Sequence, residues 1–217
     1  MEKKTKIVFI VNPISGTSDK EHIIDLIPEY LDSRRFEWAI RKTEHKGHAA
    51  EFANEAISEG VDVVVAVGGD GTVREVAEGV SGSRTALGII PMGLTNTLAR
   101  HLGIPLRGNA SLTWLNHSEP VLCDSLDVLI DGEQRLTAVT NIAAGDTRLI
   151  NCAQGVKTSI QDGEMEVEVG GQQSAIRSQK LNFSGTVLID NEEYHVEHSI
   201  EVKVKEDSVY VQVPKRF

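Results

Sequence analysis

The stretch Val63-Val64-Val65-Ala66-Val67-Gly68-Gly69-Asp70-Gly71-Thr72 constrains this chain more than any other. Five apolar residues bounded by turn formers predict a strand buried on both faces, and a helical spacing resumes at once through Val73, Val76, Ala77 and Val80. Gly68 to Thr72 is therefore a strand-to-helix turn. Its glycines let the backbone approach whatever lies above it, while the N–H groups of the following helix point to the same place and favour an anion. Asp70 among those donors would repel a bare phosphate but could hold a metal ion directly or through water. Gly, Asp and Thr together suggest a nucleotide with magnesium. The plainer alternative is a tight βα turn with no ligand.

The surrounding pattern repeats this unit. Lys6–Val11 reads as a buried strand followed by a loop from Asn12 to Ser18, then a helix from Asp19 to Ser33 with Ile23, Ile27 and Leu31 on one face. Pro28 should kink or break that helix. Phe36, Trp38 and Ile40 alternate as a strand, and Ala49 to Ile57 give a helix ending at Gly60. Thr85–Ile90 is a fourth strand, running into Pro91-Met92-Gly93-Leu94-Thr95-Asn96-Thr97 and a short helix that stops at Gly103 and Pro105. Alternating strands and helices predict a parallel sheet, in which ligands bind beyond the carboxyl ends of the strands. The loops at 12–18, 68–72 and 91–97 then share one edge. From Cys123 the period changes to two, through Leu126–Ile142, Glu164–Val169, Asn182–Ile189 and Tyr194–Val213, which predicts an antiparallel sheet or sandwich. The expected domains are 1–120, nucleotide-binding, and 121–217, β-rich.

Lys and Arg number 22 and Asp and Glu 32, for a formal charge of −10. That excess argues against a nucleic-acid groove and against general attraction to an anionic membrane, and it means bound ATP would need divalent cations. Cys123 and Cys152 have no metal-ligand or disulfide spacing, so a reducing cytoplasm is expected. With no signal-peptide core and no apolar run near the roughly 20 residues a membrane span requires, a lipid partner would be met peripherally, from the water side.

Three ordered blocks make the chain resemble the diacylglycerol kinase catalytic-domain family of soluble lipid kinases, which includes sphingosine and ceramide kinases. They are Asn12-Pro13-x-Ser15-Gly16, Gly68-Gly69-Asp70-Gly71-Thr72, and Pro91-Met92-Gly93-Leu94-Thr95-Asn96-Thr97-Leu98-Ala99-Arg100. Asp124–Val128, Asn141–Gly145, Gln161–Val167 and Asp190-Asn191-Glu192 are similar to further family segments. The resemblance implies a phosphofructokinase-like α/β domain plus an abbreviated antiparallel β-sandwich, ATP and Mg²⁺ as cofactors, and a lipid alcohol such as diacylglycerol as substrate at a membrane surface. It also admits a homodimer. Leu94 and Thr97 replace the block's Thr and Asp, and Asn191 replaces a Gly expected at positive φ, where Asn is the least costly substitute.

For ATP the resemblance implies Asn12, Ser15, Gly16, Thr43, Gly68, Gly69, Asp70, Gly71, Thr72, Gly93 and Thr95. Thr43 reads equally as a helix cap. Asp70 and Asp124 would organise the catalytic magnesium, with Asp127 as a rival to Asp124. Asp190 would take the proton of the lipid hydroxyl with Glu192 orienting it or the metal, although Asp-Asn-Glu is also an ordinary hairpin turn. Asp162 with the carbonyls of Met165 and Val167 would hold a structural cation, unless Asp-Gly is only a turn. His45 and His48, in a loop with Arg41, Lys42 and Lys46, would help hold phosphate or form a solvated face. A soluble acceptor, or a nucleotide-binding relative without turnover, are the alternatives to lipid phosphorylation.

Overall fold

The computed structural model describes residues 3–14, 20–144, 147–150, 165–169 and 172–215. The chain divides into two compact units: Met1–Val121 with Val209–Phe217, and Leu122–Ser208.

The first unit is built on β1 (Thr5–Val11), β2 (Phe36–Lys42), β3 (Val63–Gly68) and β4 (Ala86–Pro91), all parallel in the order β2-β1-β3-β4. Every residue of β3 and β4 is buried, as unbroken apolar runs covered on both faces require. On one face Phe9, Val65 and Ile90 pack with Ile23 and Ile27 of α1 (Lys20–Tyr30) and Leu112 of α5 (Gly108–Leu115). Val8, Ile10, Val64 and Ala66 alternate to the other face, which α2 (His48–Ser58) and α3 (Asp70–Val80) cover. Those two helices approach closely: a Cβ on Gly79 would stand 2.6 Å from the Ala53 methyl and 2.7 Å from the Ala50 carbonyl oxygen. Burying each Val or Ile side chain contributes roughly 1.5–3 kcal/mol.

Two details differ from the sequence pattern. The first helix ends at Tyr30 with Pro28 inside it, because Asp32 turns the chain: its carboxylate accepts the Arg34 N–H at 3.0 Å and its carbonyl accepts the N–H groups of Arg35 and Phe36, each at 3.0 Å. Apolar spacing alone did not single out α5, which fills the connection before β5 (Ser118–Ile130).

The second unit is antiparallel. Leu126–Ile130 of β5 pairs with β6 (Gln134–Ala138), and β11 (Ser178–Asn182) pairs with Ser199–Lys203 of β14 (Ser199–Pro214). A six-stranded sheet follows the order β10 (Gln172–Ile176), β9 (Met165–Val169), β8 (Thr147–Ile150), β7 (Asn141–Ala144), β12 (Gly185–Ile189) and β13 (Glu192–Val196). One apolar core joins the strands: Leu126, Val128, Ile200 and Val202 pack with Ile142, Val187, Ile189 and Val196. The period-two run from Tyr194 to Val204 is broken at 197–198, where the Asp131 carboxylate accepts the N–H groups of Glu197, His198 and Ser199 at 2.7–2.8 Å.

The expectation of a second domain running to residue 217 is corrected at its end. Val209–Phe217 belongs to the first unit, because Val211 of β14 pairs in parallel with Leu87 of β4.

Candidate active site

Three loops of the first unit are tied together at the carboxyl ends of β1, β3 and β4. The Asn12 amide donates to Thr72 Oγ1 at 3.2 Å, and its Oδ1 accepts the Ile14 N–H at 3.1 Å. The Met92 N–H donates to the Gly68 carbonyl at 2.8 Å. Where these loops touch, only glycine fits: a Cβ on Gly93 would lie 2.5 Å from Gly69 Cα, and one on Gly68 would lie 2.4 Å from Thr72 Oγ1. Asn96 closes the third loop on itself, its Oδ1 accepting the Gly93 N–H at 2.9 Å and its Nδ2 donating to the Gly93 carbonyl at 2.8 Å.

Asp70, the first residue of α3, reaches into that third loop. Oδ1 accepts the Thr97 N–H at 2.6 Å and Oδ2 accepts the Asn96 N–H at 3.0 Å. The carboxylate thus satisfies the start of α4 (Thr97–His101), where Asn96 is the left-handed cap at φ 51°. Two backbone donors thus fix the carboxylate in the third loop.

The anion side of the site is the start of α3. Gly69 caps the helix with no side-chain hydrogen bond, and the first helical bond is from the Val73 N–H to the Gly69 carbonyl at 3.1 Å. The N–H groups of Gly71 and Thr72 therefore have no acceptor within the helix and are available to phosphate oxygens. These donors, the bare Gly69–Gly93 surface and a fixed carboxylate fit the phosphates of a nucleotide with a divalent cation. Thr43 follows β2, its N–H and hydroxyl both directed at the Val11 carbonyl, at 2.9 and 3.5 Å. Thr95 belongs to the third loop, where its carbonyl accepts Arg100 Nε at 2.7 Å. Ser15 and Gly16 lie outside the described residues.

His45 and His48 stack face to face, centroids 4.3 Å apart and planes 1° from parallel, and with Glu51 they bring potential metal ligands within 4.8 Å of one another. Parallel imidazoles direct their ring-nitrogen lone pairs side by side, not at a common point. His48 Nδ1 is also occupied as acceptor of the Glu44 N–H at 3.2 Å. This arrangement is therefore read as a packed surface ladder continuing onto Phe52.

In the second unit Asp190 and Asp124 accept backbone N–H groups, while Glu192 and Asp127 meet side chains. Asp190 is 1 % exposed; its Oδ1 accepts the Thr140 N–H, the Thr140 hydroxyl and the Asn141 N–H at 2.7–3.1 Å, and its Oδ2 accepts the Val139 N–H at 2.8 Å. Burial pushes its pKa up, against the lowering effect of these donors. Asp190 and Asn191 are the two central residues of the β12–β13 hairpin, at φ 48° and 67°, the signature of a type I′ turn. Glu192 accepts the Tyr194 hydroxyl at 2.8 Å. Asp124 is buried, with Oδ1 accepting the Asp207 N–H at 2.8 Å, while Asp127 forms an ion pair with Arg135 at 3.4 Å. Asp162 lies outside the described residues, and Met165 and Val167 are described only as positions of β9.

Residues 6–128 match the model of the diacylglycerol kinase catalytic domain. The chain belongs to that family. It is 37% identical over 106 residues to a diacylglycerol kinase of Bacillus subtilis, covering 48% of this chain and 34% of that one. To a diacylglycerol kinase of Staphylococcus saprophyticus it is 31% identical over 157 residues, covering 71% and 46%. The chain thus spans less than half the length of the curated relatives it matches. Its fold is that of a diacylglycerol kinase crystal structure from Bacillus anthracis, with a TM-score of 0.75 at 16% identity over 97% of each chain.

Membership of the diacylglycerol kinase family gives the departures a structural meaning. Thr97 contributes its backbone N–H to Asp70, so that contact does not require the family's Asp side chain. Asn191 adopts the positive φ expected of the residue it replaces. Leu94 is 80% exposed, an apolar side chain where the family has a hydroxyl. Among the residues that sequence reasoning missed, Asn96 and Asp131 matter most. An Asn directly before a helix is the available signal for the first, and an Asp-Gly turn for the second. No helix among the described residues is long and apolar enough to cross a membrane.

Proposed function

We propose that this chain binds ATP with Mg²⁺ and transfers the γ-phosphate to the hydroxyl of a lipid alcohol of the diacylglycerol class. The observation that carries the reading is the convergence of the open α3 N-terminus, the Gly69–Gly93 contact and the Asp70 carboxylate in one set of loops. Phosphoryl transfer is chiefly positioning and charge stabilisation, and the site supports both. Gly71 and Thr72 N–H groups bind phosphate oxygens, Gly69 and Gly93 admit them to the backbone, and Asn12 holds Thr72 in place. Asp70 would hold, directly or through water, the magnesium that offsets the phosphate charge.

Asp190 is assigned as acceptor of the lipid hydroxyl proton by family resemblance, supported by its raised proton affinity and by the single donor on Oδ2. Glu192 adjoins it in the hairpin, and Asp124 is the second carboxylate of the metal site in this reading. The lipid would be met at a membrane surface by a cytoplasmic protein. The test is transfer of label from [γ-³²P]ATP to diacylglycerol, sphingosine, ceramide and soluble alcohols in mixed micelles. Transfer to a lipid, abolished in Asp70→Ala with ATP binding weakened in parallel, is the expected result. Undiminished transfer in that variant would overturn the site assignment. Phosphorylation of soluble alcohols alone would move the substrate to another class.

A further inference from the structure

We propose that the first unit carries a second ligand site, at the amino ends of its strands, for a phosphomonoester joined to an apolar body. A cleft of about 730 Å³ opens there, a size usual for small-molecule sites. All its lining residues belong to the first unit. They include Thr5 at the start of β1, Phe36 at the start of β2, Asp62 just before β3 and Ala86 at the start of β4. Tyr210 and Gln212 join them from β14, which Val211 pairs with Leu87 of β4. The phosphate-binding loops leave the opposite ends of the same strands. β3 is six residues long, so about 20 Å of sheet separates the two.

The cleft is basic in an acidic protein. Lys3, Lys4, Arg35 and Arg84 line it against one carboxylate, Asp62, although the chain carries a formal charge of −10. None of the four cations forms an ion pair with a described residue. Lys4 Nζ donates to the Ser33 carbonyl at 2.7 Å and the Arg35 guanidinium to the Asn116 carbonyl at 2.6 Å, contacts that place the groups without neutralising them. Asp62 is committed to the backbone, its Oδ2 accepting the Lys6 N–H at 2.8 Å. A dianion offsets such an excess, and a guanidinium meets phosphate oxygens two at a time.

Much of the remaining lining is apolar, through the buried Phe36, Val61, Ala86 and Leu115. Gln212 supplies a polar contact among them. It is 6% exposed; its Oε1 accepts the Ser118 hydroxyl at 2.8 Å, while its Nε2 has no hydrogen-bond partner among the described residues. A buried amide with donors left over, in a basic cleft, is served by an acceptor from outside the chain. The lining is fixed in advance: the Ala86 N–H donates to the Asp62 carbonyl at 2.9 Å and the Thr85 hydroxyl to the Val61 carbonyl at 2.8 Å. Binding therefore requires little ordering of the protein.

The test is an amide NMR titration of the full chain with phenyl phosphate, in the presence of saturating ATP and Mg²⁺. Shifts are expected at Thr5, Arg84 and Gln212, while the amides of Gly69, Gly71 and Gly93 report the phosphate loops separately and should stay still. Arg84→Glu, at an exposed side chain, and Gln212→Glu, which keeps an acceptor for Ser118, should each weaken binding about tenfold or more. Inorganic phosphate, with no body for the apolar lining, should bind at least about tenfold more weakly than phenyl phosphate. Monomeric dihexanoyl phosphatidate identifies the source of the phosphomonoester: tighter binding than phenyl phosphate assigns a lipid, weaker binding a soluble metabolite. Unmoved amides at Thr5, Arg84 and Gln212, undiminished affinity in Arg84→Glu, or equal affinity for inorganic phosphate overturns the proposal.

Discussion

Replacing Asp190 tests whether its carboxylate is first a structural staple. It accepts from the Val139, Thr140 and Asn141 N–H groups and from the Thr140 hydroxyl, all buried or half-buried. Hydrogen bonds to a charged acceptor contribute about 1.5–3 kcal/mol each, and buried donors left without an acceptor cost about 1–3 kcal/mol each. The effects are not additive, and water entering the vacated space offsets part of them. Asp190→Ala should therefore cost about 3–5 kcal/mol, comparable with stripping one partner from a buried charge. Asp190→Asn keeps the Oδ1 acceptor but sets an NH₂ against the Val139 N–H, for a loss of about 1–3 kcal/mol.

Urea unfolding followed by circular dichroism measures both variants, and hydrogen exchange at Val139, Thr140 and Asn141 localises the effect. At roughly 2–4 °C per kcal/mol for a chain of this size, Asp190→Ala should melt about 6–20 °C below wild type. Because burial raises the folded-state pKa of Asp190, the folded form holds the proton more tightly than the unfolded one. Its contribution to stability should then fall as pH rises from the ordinary Asp range through the folded pKa. A loss below about 1 kcal/mol with unchanged exchange at the three amides would refute the staple. Kinase activity separates the two roles. A general base predicts loss far beyond the unfolded fraction of Asp190→Asn, whereas a staple alone predicts activity that tracks the folded fraction.

Gly93→Ala should weaken ATP binding at least tenfold by calorimetry and cost about 1–3 kcal/mol, because the new methyl would stand 2.5 Å from the Gly69 Cα, backbone that cannot swing aside. Wild-type affinity in that variant would remove the glycine contact from the argument. Asp131 has its pKa lowered by the N–H groups of Glu197, Ser199 and His198. Its contribution is thus present above the ordinary Asp pKa and lost as pH falls toward the folded one, a loss that Asp131→Asn should lack when the two proteins are titrated with acid side by side.

The first unit was legible in the sequence because its signals are local and redundant. Buried parallel strands are unbroken apolar runs, and the turns between strand and helix carry glycines where the backbone of one loop meets another, as at Gly69 and Gly93. Order and topology alone put the loops at Asn12, Gly68 and Gly93 on one edge of the sheet. What escaped was cross-loop chemistry. Nothing in Asn96 or Thr97 announces that their N–H groups hold Asp70, since that pairing depends on two turns meeting from 26 residues apart. The return of Val209–Phe217 to the first unit was hidden for the same reason, because a period-two strand carries no mark of which sheet it joins.

In the second unit the difficulty is specific to aspartate. Asp131, Asp190 and Asp207 take positive φ, a conformation Asp tolerates because its short side chain bonds locally. At Asp131 and Asp190 the same side chain then accepts a run of backbone N–H groups from a neighbouring turn, and Asp124 does so for the Asp207 N–H. A turn-forming Asp with a cluster of donors and a metal- or proton-handling Asp draw on one chemistry, a fixed anion, so residue type and spacing cannot separate them. What separates them is saturation. Asp190 Oδ1 accepts three bonds while Oδ2 accepts one, so any proton from a substrate must arrive at Oδ2 and displace or share the Val139 contact. A catalytic Asp190 would therefore have to loosen its own staple to work, and exchange at the Val139 amide should rise when acceptor binds and stay unchanged when ATP binds alone.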